Sequence, residues 1–452
     1  MTRNLTKGNV TTSMLLFAGP MIAGNLLQQF YNVADTLIVG RALGPNALAA
    51  TGASYALMVF LTSILLGLSM GSGTLFSMLH GAGKTQELQK AVSLSFMLIG
   101  ILSIFLEALA LLFIREILIF MQIPDTIFSM TWDYLQVIFL GIFFTFLYNY
   151  FASLLRALGN SMVPLLFLGI SAVMNIVLDI LLVVVIPVGV AGAAWATIIA
   201  QAFSGIGIGI YAWKKLSYLR PTHESIKWEG AMATQIAKFS FLTCLQQSVM
   251  NFGILLVQGL VNSFGVTVMA AFSAAVKIDS FAYMPVQDFG NAFSTFIAQN
   301  FGAGEKQRIR KGIRSAMITA ALFSITISIL VCILAPVLMQ IFVSAEEIEV
   351  IRIGVEYLRI EGACYCGIGC LFLLYGLYRA LGAPGMSVIL TVISLGTRVI
   401  LAYALASIEV IGLVGIWWSV PIGWFLADAV GLLYYFFFYR KKQQDIEGIP
   451  IR

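Results

Sequence analysis

Residues 44–90 read GPNALAATGASYALMVFLTSILLGLSMGSGTLFSMLHGAGKTQELQK, and the later stretch at 265–311 reads GVTVMAAFSAAVKIDSFAYMPVQDFGNAFSTFIAQNFGAGEKQRIRK. The two stretches align without a gap, and their identical pairs include Gly44/Gly265, Ala49/Ala270, Ala50/Ala271, Phe60/Phe281, Thr74/Thr295, Gln86/Gln307 and Gly81-Ala82-Gly83/Gly302-Ala303-Gly304. A repeat of this length inside a hydrophobic chain is typical of a transporter built from two similar halves around a central site.

A second repeated block lies further along each half, at a slightly larger offset. Arg156-Ala157-Leu158-Gly159 corresponds there to Arg379-Ala380-Leu381-Gly382. Three further identical pairs in this block are Gly189/Gly412, Gly192/Gly415 and Trp195/Trp418. Both halves of the chain are therefore expected to share one architecture.

The composition is that of a membrane protein. Hydrophobic residues make up 60% of the 452 residues and charged residues 10%, whereas soluble domains carry about 25% charged residues. Stretches of about 20 apolar residues, which is the length that crosses a bilayer, recur along the chain without the alternation of polarity that β-barrel strands show. The sequence thus predicts an all-α integral membrane protein with twelve transmembrane helices. The predicted spans are 13–39, 47–79, 91–115, 131–155, 163–186, 190–212, 234–262, 268–299, 313–343, 355–380, 385–407 and 412–439.

Positive charges are distributed unequally between the two sides of these spans. Of the 26 Lys and Arg residues, 20 lie in the tails or in and near the loops on the side of the N-terminus, four lie in or near the opposite loops, and two lie deep inside spans. Cytoplasmic loops carry such an excess. We therefore expect a multi-pass protein of the cell (plasma or inner) membrane with both termini in the cytoplasm. The net charge of +5 is explained without nucleic-acid binding.

Each repeat contains six spans, so both repeats enter the bilayer from the same side. The sequence predicts two six-helix lobes that are related by a pseudo-two-fold axis along the membrane normal. The predicted N-lobe is residues 1–212, the cytoplasmic linker between the lobes is residues 213–233, and the C-lobe with a short cytoplasmic tail is residues 234–452. The Gly-Ala-Gly stretches at 81–83 and 302–304 are expected to end helices, each Gly supplying a positive φ.

Other classes of protein are not supported by the sequence. The polar first twelve residues lack an Ala-x-Ala motif, which argues against a cleaved signal peptide. No His accompanies the Cys residues at 364, 366 and 370, so no metal is expected beyond a transported sodium ion. No catalytic motif of an intramembrane enzyme is present. We expect a monomer in the lipid bilayer, without a cofactor, that acts on a small-molecule substrate.

Polar residues in the first half form stripes on the faces of apolar helices. The stripe of the first span, with spacings of three, four and three, consists of Asn25, Gln28, Asn32 and Asp35. The stripe of the fifth span, with spacings of four, consists of Ser171, Asn175 and Asp179. Two carboxylates that face one interior, with amide oxygens and the hydroxyl of Thr197 on the sixth span beside them, form a site for a proton or a hard cation. The alternative is two buried acids held by neighbouring amides for structural reasons.

The repeat favours the functional alternative. In the second half, the counterparts of Asp35, Asn175, Asp179 and Thr197 are Leu256, Arg398, Ala402 and Val420. A purely structural network is expected in both halves. The loss of all four residues together indicates a unit that is specific to the N-lobe.

The second half carries intramembrane charges of its own, namely Lys277, Asp279, Asp288, Glu361, Arg398 and Asp428. Each costs about 2.5–3.5 kcal/mol at mid-bilayer and needs a reason. Because residues two apart on a helix do not face each other, Lys277 is expected to pair with an acid on another helix rather than with Asp279. Alternatively, Lys277 or Arg398 contacts an anionic part of a substrate in a C-lobe cavity. Glu107 on the third span has no partner that the sequence identifies.

These residues resemble those of the multidrug and toxic compound extrusion (MATE) transporters, over essentially the whole chain. The shared motifs are Pro20…Asp35-Thr36, Gly-Arg-x-Leu-Gly at 40–44, the paired Arg-Ala-Leu-Gly motifs and Asn175-x-x-x-Asp179. The similarity is to the branch with its cation site in the N-lobe, and it implies that Asp35, Asn175, Asp179 and Thr197 bind Na+ or H+. It also implies that the first helix bends at Pro20. A second branch relies on acids in the seventh and tenth helices; the seventh span has Gln246 and Gln247, and the tenth is expected to lack an acid deep in the membrane.

The resemblance implies a cation-coupled antiporter that exports amphipathic organic cations, including drugs, by alternating access of two lobes. The coupling ion is Na+ or H+. The competing hypothesis is a flippase for lipid-linked oligosaccharides or other anionic lipids, which belongs to a related superfamily and needs a cationic cavity. Lys277 and Arg398 are its only support in the sequence.

Overall fold

The computed structural model describes residues 3–408 and 410–439, and no β-strand occurs within these ranges. The helices are α1 (Val10–Leu43), α2 (Pro45–Gly81), α3 (Thr85–Leu112), α4 (Ile114–Phe120), α5 (Asp125–Phe139), α6 (Ile142–Ala157), α7 (Met162–Asp179), α8 (Val190–Lys215), α9 (Gly230–Asn262), α10 (Val266–Gly302), α11 (Lys306–Gln340), α12 (Ile348–Ala363), α13 (Tyr365–Ala380), α14 (Pro384–Ala406) and α15 (Gly412–Tyr434). Wider π-helical turns continue α7 over Ile180–Val185 and α15 over Tyr435–Tyr439.

The membrane-spanning helices agree with the twelve predicted spans. Ten helices of the described chain are long and apolar enough to cross a bilayer by themselves. The fourth and tenth spans are each made of two helices, with a bend of 45° between α5 and α6 and of 52° between α12 and α13. Several helices extend past the predicted ends, because their polar terminal turns continue beyond the apolar stretch that the prediction used.

The internal repeat is visible in the helix boundaries. The bent pair α5–α6 corresponds to the bent pair α12–α13, and the two pairs begin and end at positions separated by the same offset that relates Arg156 to Arg379. Glycines with φ between +50° and +98° occur at matching positions of the two repeats. These pairs are Gly44/Gly265, Gly83/Gly304, Gly159/Gly382 and Gly189/Gly412. The turns of both repeats therefore depend on the left-handed conformation that glycine adopts without steric cost.

The chain folds into two compact units. Unit 1 holds the described residues up to Ser248 together with Ala298–Arg308, and unit 2 holds Val249–Ile297 and the described residues from Ile309 onward. The boundaries of the units thus fall inside α9 and near the end of α10. The lobe boundaries at 212 and 234 stay predictions, and the predicted tail from 440 to 452 lies outside the described residues.

The predicted linker 213–233 packs against α3 within unit 1. Lys90 forms an ion pair with Glu229 at 3.0 Å, the hydroxyl groups of Ser93 and Ser225 are 3.0 Å apart, and the Gln89 amide donates to the carbonyl of Arg220 at 2.6 Å. These contacts fix the path of the segment along one helix.

The N-terminal segment is hydrogen-bonded to the last turn of α10 and to the first turn of α11 within unit 1. The Arg308 guanidinium donates to the carbonyl oxygens of Leu5, Lys7 and Gly8 at 2.6–3.3 Å, and the carbonyl of the fully buried Leu5 also accepts from the Asn300 amide. The Gln299 amide donates to the carbonyl of Ala157 at 2.7 Å. Hydrogen bonds to backbone carbonyl groups thereby join the segment 298–308 to the N-terminal segment and to the end of α6.

The two Gly-Ala-Gly stretches differ from the expectation in one respect. Gly83 and Gly304 have positive φ as predicted, whereas Gly81 and Gly302 are helical. A Cβ atom on Gly81 would lie 1.9 Å from the carbonyl oxygen of Gln299, and one on Gly302 would lie 1.9 Å from that of Met78. The first glycine of each stretch is therefore required by the close contact of α2 with the end of α10, not by its own φ.

Substituting Gly81 tests this contact. We expect Gly81→Ala to cost about 1–3 kcal/mol of folding free energy, because the added methyl group meets backbone that cannot rotate away. Gly52→Ala on the same helix is the matched control, since nothing lies within 4 Å of its Cβ position. Thermal unfolding of the purified protein in detergent should show a lower melting temperature for Gly81→Ala only. Equal melting temperatures for the two variants would contradict the contact.

Candidate cation-binding site

The structure places the two predicted carboxyl groups of the first half against each other. Asp35 lies in the last third of α1 and is partly exposed, whereas Asp179 ends α7 and is fully buried. The two side chains lie within hydrogen-bonding range of one another. Two carboxylates this close repel each other when both are charged. We therefore expect the pair to share one proton and to carry one negative charge.

Asn175 connects this pair to α8. With its amide oriented to satisfy both neighbours, Asn175 donates from Nδ2 to Asp179 Oδ2 at 3.3 Å and accepts at Oδ1 from the backbone N–H of Thr197 at 3.3 Å. The hydroxyl of Thr197 donates to the carbonyl of Ala193 at 3.0 Å, so its oxygen keeps lone pairs beside the site. All four residues that were predicted as cation ligands thus lie in one cluster of unit 1.

The local backbone explains the position of Asp179. Regular α-helix ends at this residue, and the π-helical turns of 180–185 follow it. Such turns occur often at functional sites because they redirect side chains and free backbone groups. Gly192 at the start of α8 lets this segment approach, since a Cβ there would lie 2.6 Å from the carbonyl oxygen of Leu182.

Two oxygens of the site are buried and make no hydrogen bond. They are Oδ1 of Asp35 and Oδ1 of Asp179. A buried carboxylate oxygen without a partner is costly, and a bound Na+ or a second proton would satisfy it. Carboxylate, amide and hydroxyl oxygens are the ligands that hard cations prefer. The residues present therefore fit a monovalent hard cation or protons.

Two tyrosines beside the acids were not predicted from the sequence. Tyr134 on α5 is buried and lies within electrostatic range of both Asp35 and Asp179. Tyr31, one helical turn before Asp35 on α1, is within range of Asp35 and is hydrogen-bonded to Gln28. Tyr134 could have been found, because its counterpart in the second repeat is also a tyrosine, Tyr357.

The other members of the predicted stripes support the helices around the site. The Ser171 hydroxyl donates to the carbonyl of Ala200 at 2.8 Å and links α7 to α8. The carbonyl of Asn32 accepts from the Thr36 hydroxyl at 2.8 Å, and Asn25 also has a polar interaction. Pro20 lies inside α1, which continues through it as one helix. The predicted bend at Pro20 stays a prediction.

Glu107 has a partner that the sequence did not identify. Its Oε2 accepts from the backbone N–H of Phe143 at 3.0 Å, in the first turn of α6. A carboxylate at a helix N-terminus satisfies a free N–H group and interacts favourably with the helix dipole. Glu107 therefore stabilises the break between α5 and α6, and it lies outside the carboxyl pair.

Unit 2 contains a second carboxyl pair, and one of its acids belongs to the tenth span. Glu361 is 1% exposed and lies next to the break between α12 and α13. It is hydrogen-bonded to Asp279 of α10, which also accepts from the hydroxyl of Tyr365 at 2.6 Å. Arg398 on α14 interacts electrostatically with both acids. The expectation that the tenth span lacks an acid deep in the membrane stays a prediction, since the burial of Glu361 is burial within the protein.

The remaining charges of the second half are dispersed. Lys277 is exposed and lines an open groove with Glu347, but it makes no ion pair within 4.0 Å in the described part of the chain. The expected pairing of Lys277 across helices is thus absent from this geometry. Asp288 and Asp428 are buried at other places in unit 2, and Asp428 is hydrogen-bonded to the thiol of Cys370. Of the candidate C-lobe residues, only Asp279 and Arg398 belong to one cluster.

Comparison with known proteins agrees with this architecture. The family model described as MatE matches residues 20–181 and 242–404. The probable multidrug resistance protein YpnP of Bacillus subtilis is 30% identical over 86% of this chain and 87% of its own, and YoeA of the same organism is 26% identical over 96% and 94%. A solved MOP superfamily transporter from Pyrococcus furiosus has the same fold, with a TM-score of 0.89 at 22% identity, covering 96% of this chain and 97% of that one.

The stability of single variants distinguishes a functional carboxyl pair from a structural one. We expect Asp179→Asn to raise stability by about 0.5–2 kcal/mol, because it removes one of two adjacent buried acids, and the new amide can donate to Asp35 while its oxygen still accepts from Asn175. Asn175→Asp adds a third acid beside the pair and should lower the stability of the protein. Melting temperatures in sodium-free buffer at pH 8 measure both effects. A clear loss of stability in Asp179→Asn would favour a structural network instead.

Proposed function

Because the chain belongs to the MatE family of membrane transporters, we propose that it exports amphipathic organic cations, including drugs, in exchange for Na+ or H+ bound by Asp35 and Asp179. It is a multi-pass protein of the plasma membrane and a transporter rather than an enzyme. The names of its relatives as multidrug resistance proteins support the substrate class.

The observation that carries this proposal is the carboxyl pair with two unpartnered buried oxygens among apolar helices. A net negative charge at this depth costs about 2.5–3.5 kcal/mol or more when it is uncompensated. The first unit offers no Lys or Arg side chain among the described neighbours of the two acids. A bound cation from solution would compensate the negative charge of the cluster, and such a cation can be exchanged.

Each residue has a distinct role in the proposed exchange. Asp35 is partly exposed and would meet the incoming ion, while the buried Asp179 would share it. Asn175 would orient the Asp179 carboxylate, and the Thr197 hydroxyl would supply a further oxygen. A cation and an organic cation that compete for this negative charge weaken each other's binding, which gives antiport by reciprocal linkage. Each inward-moving positive charge gains about 2.3 kcal/mol per 100 mV of membrane potential.

We base the proposed membrane topology on the distribution of positive charges. Both termini and the segment 213–233 would lie in the cytoplasm, because 20 of the 26 Lys and Arg residues are on that side. Alternating access of the two predicted lobes would move the site between the two faces of the membrane. Solved MATE structures include one in a bent and one in a straight conformation, and we propose that Pro20 permits a comparable change in α1 here.

The flippase hypothesis has weaker support. It needs basic residues that are free to bind an anionic headgroup. Arg398 has two acidic neighbours, and Lys277 shares its groove with Glu347. The chain itself thus compensates the charge of Arg398, and the exposed Lys277 is the remaining support for an anionic substrate.

Transport by reconstituted variants tests the proposal. Asp35→Asn and Asp179→Asn should each abolish ion-driven efflux of a fluorescent organic cation from proteoliposomes, because each variant lacks one of the two carboxyl groups that would bind the cation together. Efflux is measured with Na+ and pH gradients imposed separately, which also identifies the coupling ion. Glu107→Gln is the matched control, since it removes an intramembrane acid outside the pair and its side-chain oxygen can still accept from Phe143. Wild-type efflux rates in both Asp variants would disprove the proposed site.

A further inference from the structure

In each unit a tyrosine lies beside the carboxyl pair, and the two tyrosines occupy corresponding positions of the repeat. Tyr134 on α5 and Tyr357 on α12 are related by the same offset as the two bent helix pairs. Both are buried, with exposures of 4% and 2%. Tyr134 is in the electrostatic field of Asp35 and Asp179, and Tyr357 is in that of Asp279 and Glu361. The second cluster therefore occupies the place in its repeat that the candidate cation site occupies in the first.

The chemistry of the two pairs is also equivalent, although the acids come from different helices. In each pair the carboxyl groups lie within hydrogen-bonding range of one another, which favours one shared proton and one remaining negative charge. In each pair a buried carboxyl oxygen lacks a partner, and in unit 2 this is Oε1 of Glu361. Tyr357 lies close to the Glu361 carboxyl group.

The two clusters differ in one charge. The counterpart of Asn175, at the offset that relates Tyr134 to Tyr357, is Arg398. Asn175 brings a neutral amide to the first pair, whereas Arg398 brings a guanidinium that interacts with both acids of the second pair. The residual negative charge is thus compensated in unit 2 by the chain itself, and in unit 1 by nothing that the described chain supplies.

We propose that the Asp279–Glu361 cluster is a second cation site whose ion is replaced permanently by the tethered guanidinium of Arg398. The site would then not exchange ions, and the number of coupling cations would be set by unit 1 alone. This inference rests on the proposed function only for its consequence in transport. The claim about Arg398 concerns unit 2 and can be tested by itself.

The geometry of Arg398 is that of a charge-compensating cation more than that of an ordinary ion pair. At the protein surface, Arg352 forms a two-pronged pair with Glu349 at 2.6 and 2.9 Å. Arg398 makes no N···O contact within 4.0 Å to Asp279 or Glu361 among the described residues, and its buried Nε has no partner. Its effect on the two acids is therefore electrostatic, and this interaction is strong over several ångströms in a medium of low dielectric constant.

Replacing Arg398 by asparagine, the residue at the corresponding position 175 of the first repeat, should allow the second cluster to bind a cation from solution. The test uses full-length protein in which Asp35→Asn removes the candidate site of unit 1, so the result does not depend on whether that site binds ions. In this background we expect no saturable binding of radioactive Na+. Adding Arg398→Asn should create binding of about one Na+ per protein and a melting temperature that rises with Na+ concentration. Arg398→Lys keeps the positive charge and should create none.

A third variant shows whether the new ion is held by the carboxyl pair. Glu361→Gln combined with Arg398→Asn removes one of the two carboxyl groups that would bind the ion and should abolish the gained Na+ binding. Failure of Arg398→Asn to gain Na+ binding, or equal gain in Arg398→Lys, would overturn the inference.

A measurement without any change at Arg398 covers the case in which its loss prevents folding. Glu361→Gln alone leaves Asp279 opposite the guanidinium. If the second cluster never takes an ion, this variant binds the same number of Na+ ions as the wild-type protein. A drop by one ion per protein would overturn the inference, because it would show that Glu361 already holds an exchangeable cation.

Discussion

The close approach of the carboxyl groups of Asp35 and Asp179 is the constraint on which the account depends. It joins two acids within apolar helices, where a charge is poorly solvated and every polar atom needs a partner. One proton between the two groups leaves one negative charge, and two oxygens that make no hydrogen bond. The surrounding structure, from the end of regular helix at Asp179 to the close approach at Gly192, keeps the acids together despite this cost.

The two repeats share one helix arrangement but carry different side chains in it. In both units a span breaks into two helices, a buried tyrosine lies before the break, and a pair of acids surrounds it. In unit 1 Glu107 stabilises the break from α3. In unit 2 the tyrosine packs edge-on against the stacked rings of Phe272 and Trp417, with ring centroids 5.4 and 5.0 Å away. In the second cluster the compensating cation is thus a side chain of the protein, packed beside aromatic rings, whereas the first cluster keeps oxygens that can bind an exchangeable ion.

Much of this could be predicted from the sequence. The helical spans follow from apolar length, and the two halves follow from the repeat, because both are local or periodic signals. The four residues of the first cluster could be predicted because polar residues at spacings of three and four on an apolar helix must share a face. Their direct contact could not, since the pattern of one helix does not indicate which neighbour its polar face meets. The pairing of Glu361 with Asp279 and the position of Tyr134 beside the first pair were missed for the same reason, because each is a contact between different helices.

Glycines show the same division between local and tertiary causes. The positive φ of Gly83 and Gly304 follows from the helix ends that the sequence indicates. The need for glycine at Gly81 and Gly302 arises from carbonyl groups that are distant in the chain, and no local pattern predicts it.

Binding of a substrate analogue under varied cation concentration tests the central claim most directly. The account predicts that the dissociation constant of tetraphenylphosphonium for the purified wild-type protein rises with Na+ or H+ concentration, and that the cation's own affinity falls by the same factor when tetraphenylphosphonium is present. A dissociation constant that stays unchanged over the whole range of Na+ concentration and pH would contradict it.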